Sequence, residues 1–267
     1  MALKIGKYFR IFFYYKKMNF VERTAYRFGF FLIVFSVFIQ IFFNLFFIEI
    51  IFSWVNSISG WNHYEALLVV GTIIFLDGLM WITCAFVHIL GEQIKLGTLD
   101  FTITRPMDAQ YLVSIRRGDL EDVVRIATGM GVIIFSLAHL NYFSWGMISN
   151  FFWYIVLTMN GFMIIYSIAV MLSSVRFWTI GTSMFSLADS IMRTAQYPSD
   201  IFSGKFSHFI FSFVFPLAFM ATVPAKILSS GFQWKLVLES FIVAAVFFWI
   251  SRKIWKIGLS KYSSASS

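Results

Sequence analysis

The sequence predicts an all-α polytopic membrane protein with six transmembrane helices, and three observations support that class. Hydrophobic residues make up 59% of the 267 residues and charged residues only 13%, whereas a soluble domain has about 25% charged residues. Runs of about twenty apolar residues, long enough to cross a bilayer as a helix, follow one another along the chain. Lys and Arg fall mainly in alternate segments between these runs.

The predicted spans lie within one transmembrane domain, residues 28–258. Asp119 and Asp122 resemble the acidic first turn of the third span. Within that span, Ala127 and Gly131 give a small-residue step that permits close helix packing. The spans other than the fifth are Phe28–Phe52, Tyr64–Leu90, Asp119–Leu140, Phe151–Val175 and Trp234–Trp255.

The fifth span has two candidates. Hydropathy alone selects residues 206–228, but Pro216 and Pro224 argue against a straight helix there, since each removes a backbone hydrogen bond. The other candidate, Trp178–Gln196, is only moderately apolar. It contains Asp189 and Arg193, whose spacing lets them pair on one helix face.

The distribution of basic residues predicts that both termini are cytoplasmic. The loops at residues 53–63 and 141–150 contain no Lys or Arg, which is typical of loops on the outer side of the membrane. The formal charge of +8 therefore indicates orientation in the membrane, and we expect no nucleic-acid partner. The basic residues on the cytoplasmic side would be Lys4, Lys7, Arg10, Lys16, Lys17, Arg23, Arg27, Lys95, Arg105, Arg116, Arg117, Arg125, Arg176, Arg252, Lys253, Lys256 and Lys261.

The two ends of the chain differ from the spans. Residues 1–27 are basic and aromatic, and at 100° per residue Phe9 and Phe12 fall opposite Lys7 and Lys17. This pattern predicts an amphipathic helix lying in the membrane interface, with a solvated basic tail as the alternative. The serine-rich residues 259–267 are expected to form a disordered tail.

Residues 91–118 belong to the longest segment that cannot lie in hydrocarbon. Gly97 allows a bend, and Arg105-Pro106 predicts a stop and restart, with Pro106 in the first turn of a second amphipathic piece, Met107–Arg117. This segment is either a docking element for a partner in water or an ordinary loop packed on its own spans.

Charges inside the predicted spans allow two interpretations. Asp77 lies near the centre of the second span, where it is either a polar residue of a pathway or dimer seam or a hydrogen-bonded structural acid. Glu49 lies near the far end of the first span. An ion-coupled secondary transporter using both acids is therefore an alternative function, although no internal repeat supports it. A lipid-modifying enzyme is less favoured, because no acid–base set is clustered.

The sequence lacks the signatures of an enzyme or of a cofactor site. Ser203-Gly204-Lys205 is followed by Phe206, so there is no phosphate-binding loop. Cys84 is the single cysteine, which excludes an internal disulfide and a cysteine metal cluster. We therefore expect no catalytic, metal or cofactor residues, and active transport would draw its energy from a partner or an ion gradient.

Two groups of residues resemble a known family. Residues Lys95-Leu96-Gly97-Thr98-Leu99-Asp100, followed by Arg105-Pro106, resemble the "G-x-L-D … R/K-P" motif of type 2 ABC transporter permeases, in their bacterial branch. Tyr197-Pro198, then residues 213–219 (FVFPLAF) and Val223-Pro224-Ala225, resemble the "YP … F-x-x-P-x-A-F … x-P-A" stretch of that branch. The chain departs from many relatives at residues 221–225, where an Asn-Tyr-Phe-Pro-Ala-like sequence is usual.

This resemblance implies a permease subunit of an ATP-driven exporter in the bacterial cytoplasmic membrane. A coupling helix would dock into a separate ATPase subunit, which would bind ATP and Mg, and a second permease copy, identical or related, would complete the pathway at a dimer seam. Span five would be Trp178–Gln196, and residues 197–230 would form a re-entrant hairpin on the outer side. The implied ATPase-coupling residues are Glu92, Lys95, Leu96, Gly97, Leu99, Asp100, Arg105 and Pro106; the pathway or seam candidates are Asp77, Glu49, Asp189 and Arg193; the hairpin residues are Tyr197, Pro198, Pro216, Phe219 and Pro224.

Overall fold

The computed structural model describes residues 2–25, 27–119, 122–140, 145–179, 190, 193–202, 204 and 209–262, and most of these are helical. Residues 57–62 contain the two short strands, β1 (Ser57–Ile58) and β2 (Trp61–Asn62). The α-helices are α1 (Ala2–Ala25), α2 (Arg27–Trp54), α3 (His63–Cys84), α4 (Phe86–Lys95), α5 (Asp100–Ile103), α6 (Ala109–Arg116), α7 (Val123–His139), α8 (Trp145–Ser174), α9 (Thr222–Ser230) and α10 (Trp234–Lys261).

Four helices in the described ranges are long and apolar enough to cross a membrane. They cover Phe28–Trp54, His63–Cys84, Ile148–Phe177 and Trp234–Lys261. Helix α7 is also apolar but has only 17 residues. The predicted all-α membrane class is confirmed, whereas the count of six spans stays a prediction, because most of the candidate Trp178–Gln196 lies outside the described residues.

The loop between the first two spans forms a β-hairpin that the sequence analysis did not predict. Its turn residues Ser59 and Gly60 have φ values of 50° and 85°, which match a tight two-residue hairpin turn. Ser57 pairs with Asn62 and Ile58 with Trp61. Asn62 then starts α3, because its side chain accepts from the Glu65 amide at 2.9 Å while the Glu65 carboxylate accepts from the Asn62 amide at 3.0 Å.

Helix α3 is the centre of the packing. Leu68, Val69 and Leu76 are fully buried in the main core, and α3 packs most extensively on α7. That approach depends on Gly129, since a Cβ there would lie 2.5 Å from the Phe75 amide nitrogen. The predicted small-residue step at Ala127 and Gly131 does not make this contact. A Cβ at Gly131 would meet no described atom within 4 Å, so Gly131 does not face this contact.

Helix α2 touches the rest of the chain along one narrow stripe. Val37, Ile41 and Ile48 are buried against Leu67, Val70 and Ile74, and their spacing places them on one helical face. Most of the other apolar side chains of α2 are exposed. A helix of this composition suits contact with hydrocarbon rather than water.

The second predicted span is shorter than expected. Helix α3 ends at Cys84 rather than Leu90, and α4 begins at Phe86. The end of α3 has partners outside the helix: the Trp81 carbonyl accepts from the Asp119 amide at 3.3 Å and the Thr83 carbonyl accepts from Lys16 Nζ at 3.1 Å. These carbonyls bond to other segments of the chain instead of to a further turn of α3. Hydropathy does not predict such long-range hydrogen bonds.

Residues 209–230 are not a straight helix, as the two prolines predicted. A turn of π-helix (Ile210–Val214) ends before Pro216, and a 3₁₀ turn (Leu217–Phe219) and α9 follow. Pro224 does not kink a helix, however. It is the third residue of α9, where proline is tolerated because the first-turn amides have no helical partner. The position of this region in the membrane stays a prediction.

Two other predicted boundaries need correction. Helix α7 begins at Val123 rather than Asp119, and the Asp122 side chain bonds Arg125 instead of capping the backbone. Helix α10 runs past Trp255 to Lys261, so residues 259–261 are helical rather than part of a disordered tail. Residues 263–267 of that predicted tail lie outside the described residues.

Helix α1 is attached to the ends of α3 and α6 through Lys16. Its ammonium donates to the carbonyl oxygens of Thr83, Ile115 and Arg117 at 3.1, 3.3 and 3.0 Å. Burial lowers the pKa of Lys16 to about 8, so the group is still mostly protonated at pH 7. All three N–H donors are then available for the three carbonyls.

Gly129→Ala should destabilise the protein because its methyl group would overlap the α3 backbone. We expect the free energy of unfolding in detergent to fall by about 1–3 kcal/mol. Gly131→Ala is the matched control, and its better helix propensity should leave stability unchanged or raise it by up to about 1 kcal/mol. Equal effects of the two substitutions on thermal or denaturant unfolding would contradict the close α3–α7 contact.

Lys16 should react with amine-specific reagents at lower pH than an ordinary lysine. The expected labelling midpoint is about pH 8, because burial disfavours its charged form, against about 10.4 for an unperturbed lysine. Mass spectrometry of the Lys16 peptide across a pH series measures this midpoint in the folded protein. A midpoint above pH 10 would show that Lys16 is not buried as described.

Candidate functional site

The candidate site is the polar segment of residues 91–118, called the strip below. Its first turn comes at Gly97, which has φ 67° and follows the end of α4. The Leu96 amide donates to the Glu92 carbonyl at 2.9 Å, and the Gly97 amide donates to the Ile94 carbonyl at 3.3 Å. The predicted bend at Gly97 is confirmed, since positive φ strongly favours glycine at a helix end.

The strip restarts as a helix later than predicted. Helix α6 begins at Ala109, so Pro106 lies before the helix and not in its first turn. Asp108 sets the start, because its carboxylate accepts from the Tyr111 amide at 2.9 Å. The sequence analysis overlooked Asp108, although an aspartate directly before a helical segment is a recognisable N-cap signal.

The Asp108 carboxylate also binds the strip to the last helix, α10. Arg252 donates to Asp108 with both terminal nitrogens, at 2.9 and 2.6 Å, and to Gln110 Oε1 at 2.8 Å. The hydrogen bond from Arg252 holds the pKa of Asp108 below its ordinary value despite partial burial. Bidentate pairing of this kind fixes orientation as well as distance.

A third connection runs to α8. Gln110 donates to the Tyr166 hydroxyl at 3.0 Å, and the Ser114 and Tyr166 hydroxyls are 3.0 Å apart. Gln110 and Ser114 are each 2% exposed, so these contacts lie in the interior. One face of α6 is therefore part of the core.

Helix α1 packs on the strip as well. The Tyr111 hydroxyl donates to the Tyr8 carbonyl at 2.8 Å, and the two tyrosine rings meet edge to face with centroids 4.8 Å apart. Arg105 donates to the Tyr15 hydroxyl at 2.7 Å, and Asn19 donates to the Arg116 carbonyl at 3.3 Å. These contacts join α1 to residues 105–116 of the strip.

The first half of the strip exposes apolar side chains. Phe101 is 72% exposed, Leu96 62% and Ile103 36%. Glu92, Lys95, Arg105 and Pro106 are exposed beside them, whereas Leu99 is fully buried. Among the residues predicted for ATPase coupling, Leu99 therefore packs in the core and is not on the surface. Gly97 and Asp100 are half-buried.

Asp77 is held by an arginine that sequence reasoning had counted only as a loop charge. Arg125 donates to Asp77 at 2.6 Å and to Asp122 at 2.6 Å, joining α3 to α7. Glu49 lies 2.9 Å from His63, the first residue of α3. Asp77 is fourteen residues further along α3 than His63, a rise of about 21 Å, so it lies far from the Glu49–His63 contact. This arrangement does not support a shared ion site.

Part of the predicted re-entrant region contacts the β-hairpin. The Asp200 carboxylate accepts from the Trp61 indole at 3.1 Å and from Lys226 at 3.2 Å, which ties the hairpin to α9. The Tyr197 ring lies edge to face with Phe47, at 6.3 Å between centroids. Pro198, Pro216, Phe219 and Pro224 are buried, and Arg193 is exposed. Asp189, its predicted partner, lies outside the described residues.

Comparison of the sequence with known protein families finds a match to one family model. The sequence model of the "ABC-2 family transporter protein" family matches residues 38–266, which is most of the chain and includes the whole strip. No curated protein and no solved structure matches the chain. With its apolar helices and this match, the chain belongs to the ABC-2 transporter family and is a multi-pass membrane component of an ABC transporter.

Proposed function

We propose that this chain is the permease subunit of an ATP-driven exporter and that a separate ATPase subunit drives it through the strip. ATP binding would close a pair of ATPase subunits, and the strip would transmit that movement to the spans. A ligand that binds one state better shifts the population toward that state. The energy for transport would therefore come from ATP and Mg bound by the partner.

The observation that carries the proposal is that the strip is fixed to the core in its second half and exposes apolar side chains in its first half. Residues 108–117 are joined to α3, α8 and α10 by the contacts of Lys16, Gln110 and Arg252. Residues 96–103 expose Leu96, Phe101 and Ile103 on a segment that lies outside the apolar helices. Exposed apolar side chains with charged neighbours are typical of a protein–protein contact.

The attachment of the strip to the core matters for coupling. A loop that only touched the partner would bend when pushed and would leave the spans where they were. Here a displacement of α6 would act directly on α10 through the Asp108–Arg252 pair. It would also act on α8 through Tyr166. The same element thus meets the partner and holds helices that would line or border a pathway.

The proposed assembly has two permease copies, identical or related, with the substrate pathway at their seam. Helix α2 supports this arrangement because most of its apolar side chains are not covered by the rest of the chain. The proposed location is the bacterial cytoplasmic membrane, with both termini and the strip on the cytoplasmic side. The distribution of basic residues supports that orientation.

A photo-crosslinking residue in place of Phe101 should capture an ATP-binding cassette protein in the native host. Phe101 is the most exposed apolar residue of the strip, so it should lie within reach of the docked partner. The crosslinked protein is identified by mass spectrometry, and it must carry its own phosphate-binding loop.

Phe43 provides the matched control for this experiment. Phe43 is also a highly exposed phenylalanine, with 60% of its surface exposed against 72% for Phe101, but it lies in the apolar helix α2 and outside the strip. Capture at Phe101 and not at Phe43 is the expected result. Capture of the same ATPase with equal yield from both positions, or from neither, would contradict docking on the strip.

A further inference from the structure

A cavity of about 800 Å³ lies between α1, the first turns of α2 and the strip. One part of its lining is polar, with Arg116 and Arg117 from the strip and Glu22 from α1. Another part is apolar, with Phe30 and Ile33 from the beginning of α2. The cavity is thus amphipathic and opens where a membrane helix begins.

The amide of Gln93 is the feature that points to a ligand. Gln93 lines this cavity and is only 3% exposed. Among the described residues, neither its amide nitrogen nor its amide oxygen has a hydrogen-bond partner. A buried side-chain amide nearly always has partners, so one that lines a cavity is suited to bind a polar group inside it.

The charges of the lining fit a group that carries both signs. Arg116 and Arg117 can bind a phosphate, although Arg117 also donates through Nε to Asp119 at 3.1 Å. Glu22 and Glu92 lie in the same lining. Their carboxylates would repel an anion but can accept from a protonated amine. A zwitterion can place its phosphate near the two arginines and its ammonium near the two glutamates. A simple anion can bind only the arginines.

The apolar part of the lining distinguishes a lipid from a soluble phosphate compound. Phe30 is 37% exposed and Ile33 36% exposed, both on the predicted first membrane span. Acyl chains can lie against these side chains while the headgroup enters the cavity. A soluble zwitterion would leave this apolar surface uncovered.

We propose that the cavity binds one phospholipid with a phosphate and a primary ammonium in its headgroup, the phosphatidylethanolamine class. Arg116 and Arg117 hold the phosphate, Glu22 accepts from the ammonium, and Gln93 bonds the headgroup from the inner wall. The acyl chains lie along Phe30 and Ile33. The lipid joins α1 to the strip and does not depend on docking of an ATPase.

The test is native mass spectrometry of the purified full chain in detergent, titrated with dioctanoyl phosphatidylethanolamine. Dioctanoyl phosphatidylglycerol lacks the ammonium, and glycerophosphoethanolamine lacks the acyl chains, so each removes one proposed contact. Both should bind at least about tenfold more weakly, the size expected for losing one charge-assisted hydrogen bond or the apolar contact.

Three variants assign the contacts. Arg116→Gln should weaken both diacyl lipids about tenfold, whereas Glu22→Gln should weaken phosphatidylethanolamine alone by a similar factor. Gln93→Leu keeps the volume but removes the amide, and it should weaken phosphatidylethanolamine without lowering the thermal stability of the lipid-free protein. Arg10→Gln removes an exposed arginine of α1 outside the cavity, and it should change none of these affinities.

Several results would overturn the proposal. Equal weakening by Arg10→Gln and Arg116→Gln would mean non-specific attraction to basic residues. Equal binding of the two diacyl lipids would remove the role of the ammonium, and tight binding of glycerophosphoethanolamine would indicate a soluble ligand. An unchanged affinity in Gln93→Leu would exclude the amide from the site.

Discussion

The attachment of a polar strip to the apolar membrane helices is the constraint on which the structure depends. Lys16 from α1, Tyr166 from α8 and Arg252 from α10 each contribute to the attachment. Their partners are strip carbonyls and polar groups in and beside α6, among them the Gln110 amide, which is buried. Because unsatisfied polar groups are costly in an apolar interior, this geometry is strongly specified.

The attachment also explains where α3 ends. The last carbonyls of α3 bond to Lys16 and to the Asp119 amide, so α3 ends and α4 begins in a different direction. Deeper in the protein, Gly129 allows α7 to approach α3, and Arg125 links Asp77 to Asp122 across that contact. Helix α3 thus connects the strip to the core, and a movement of the strip would be felt first along α3, α8 and α10.

Sequence reasoning succeeded where a single property determines the structure. Long apolar runs predicted the spanning helices, Gly97 predicted the bend, and the two prolines predicted that residues 209–230 are not straight. It failed where the outcome depends on residues far apart in the chain. Hydropathy placed the end of α3 at Leu90 because it does not include the bond from Lys16 to Thr83. Sequence reasoning likewise missed the pair of Arg125 and Asp77, since the two residues meet only after α3 and α7 pack.

The strip shows the same division between local and long-range information. Its motif residues are contiguous, so their place in one surface segment could be predicted. The sequence could not predict that Leu99 is buried while Phe101 is exposed. This difference depends on how α4 and α6 pack around the two residues. The Asp108–Arg252 pair joins residues 144 positions apart, a separation at which no sequence pattern of a single chain predicts contact.

The central claim is that the strip faces the compartment that contains the ATPase, and its most direct test is the side from which the strip can be labelled. Replacing Cys84, the only cysteine, by alanine gives a background in which Thr104→Cys and Asn56→Cys place single thiols at exposed positions of the strip and of the hairpin loop. A membrane-impermeant thiol reagent should label residue 56 and not residue 104 in intact cells, and residue 104 in inside-out vesicles. Labelling of residue 104 from outside intact cells would contradict the account.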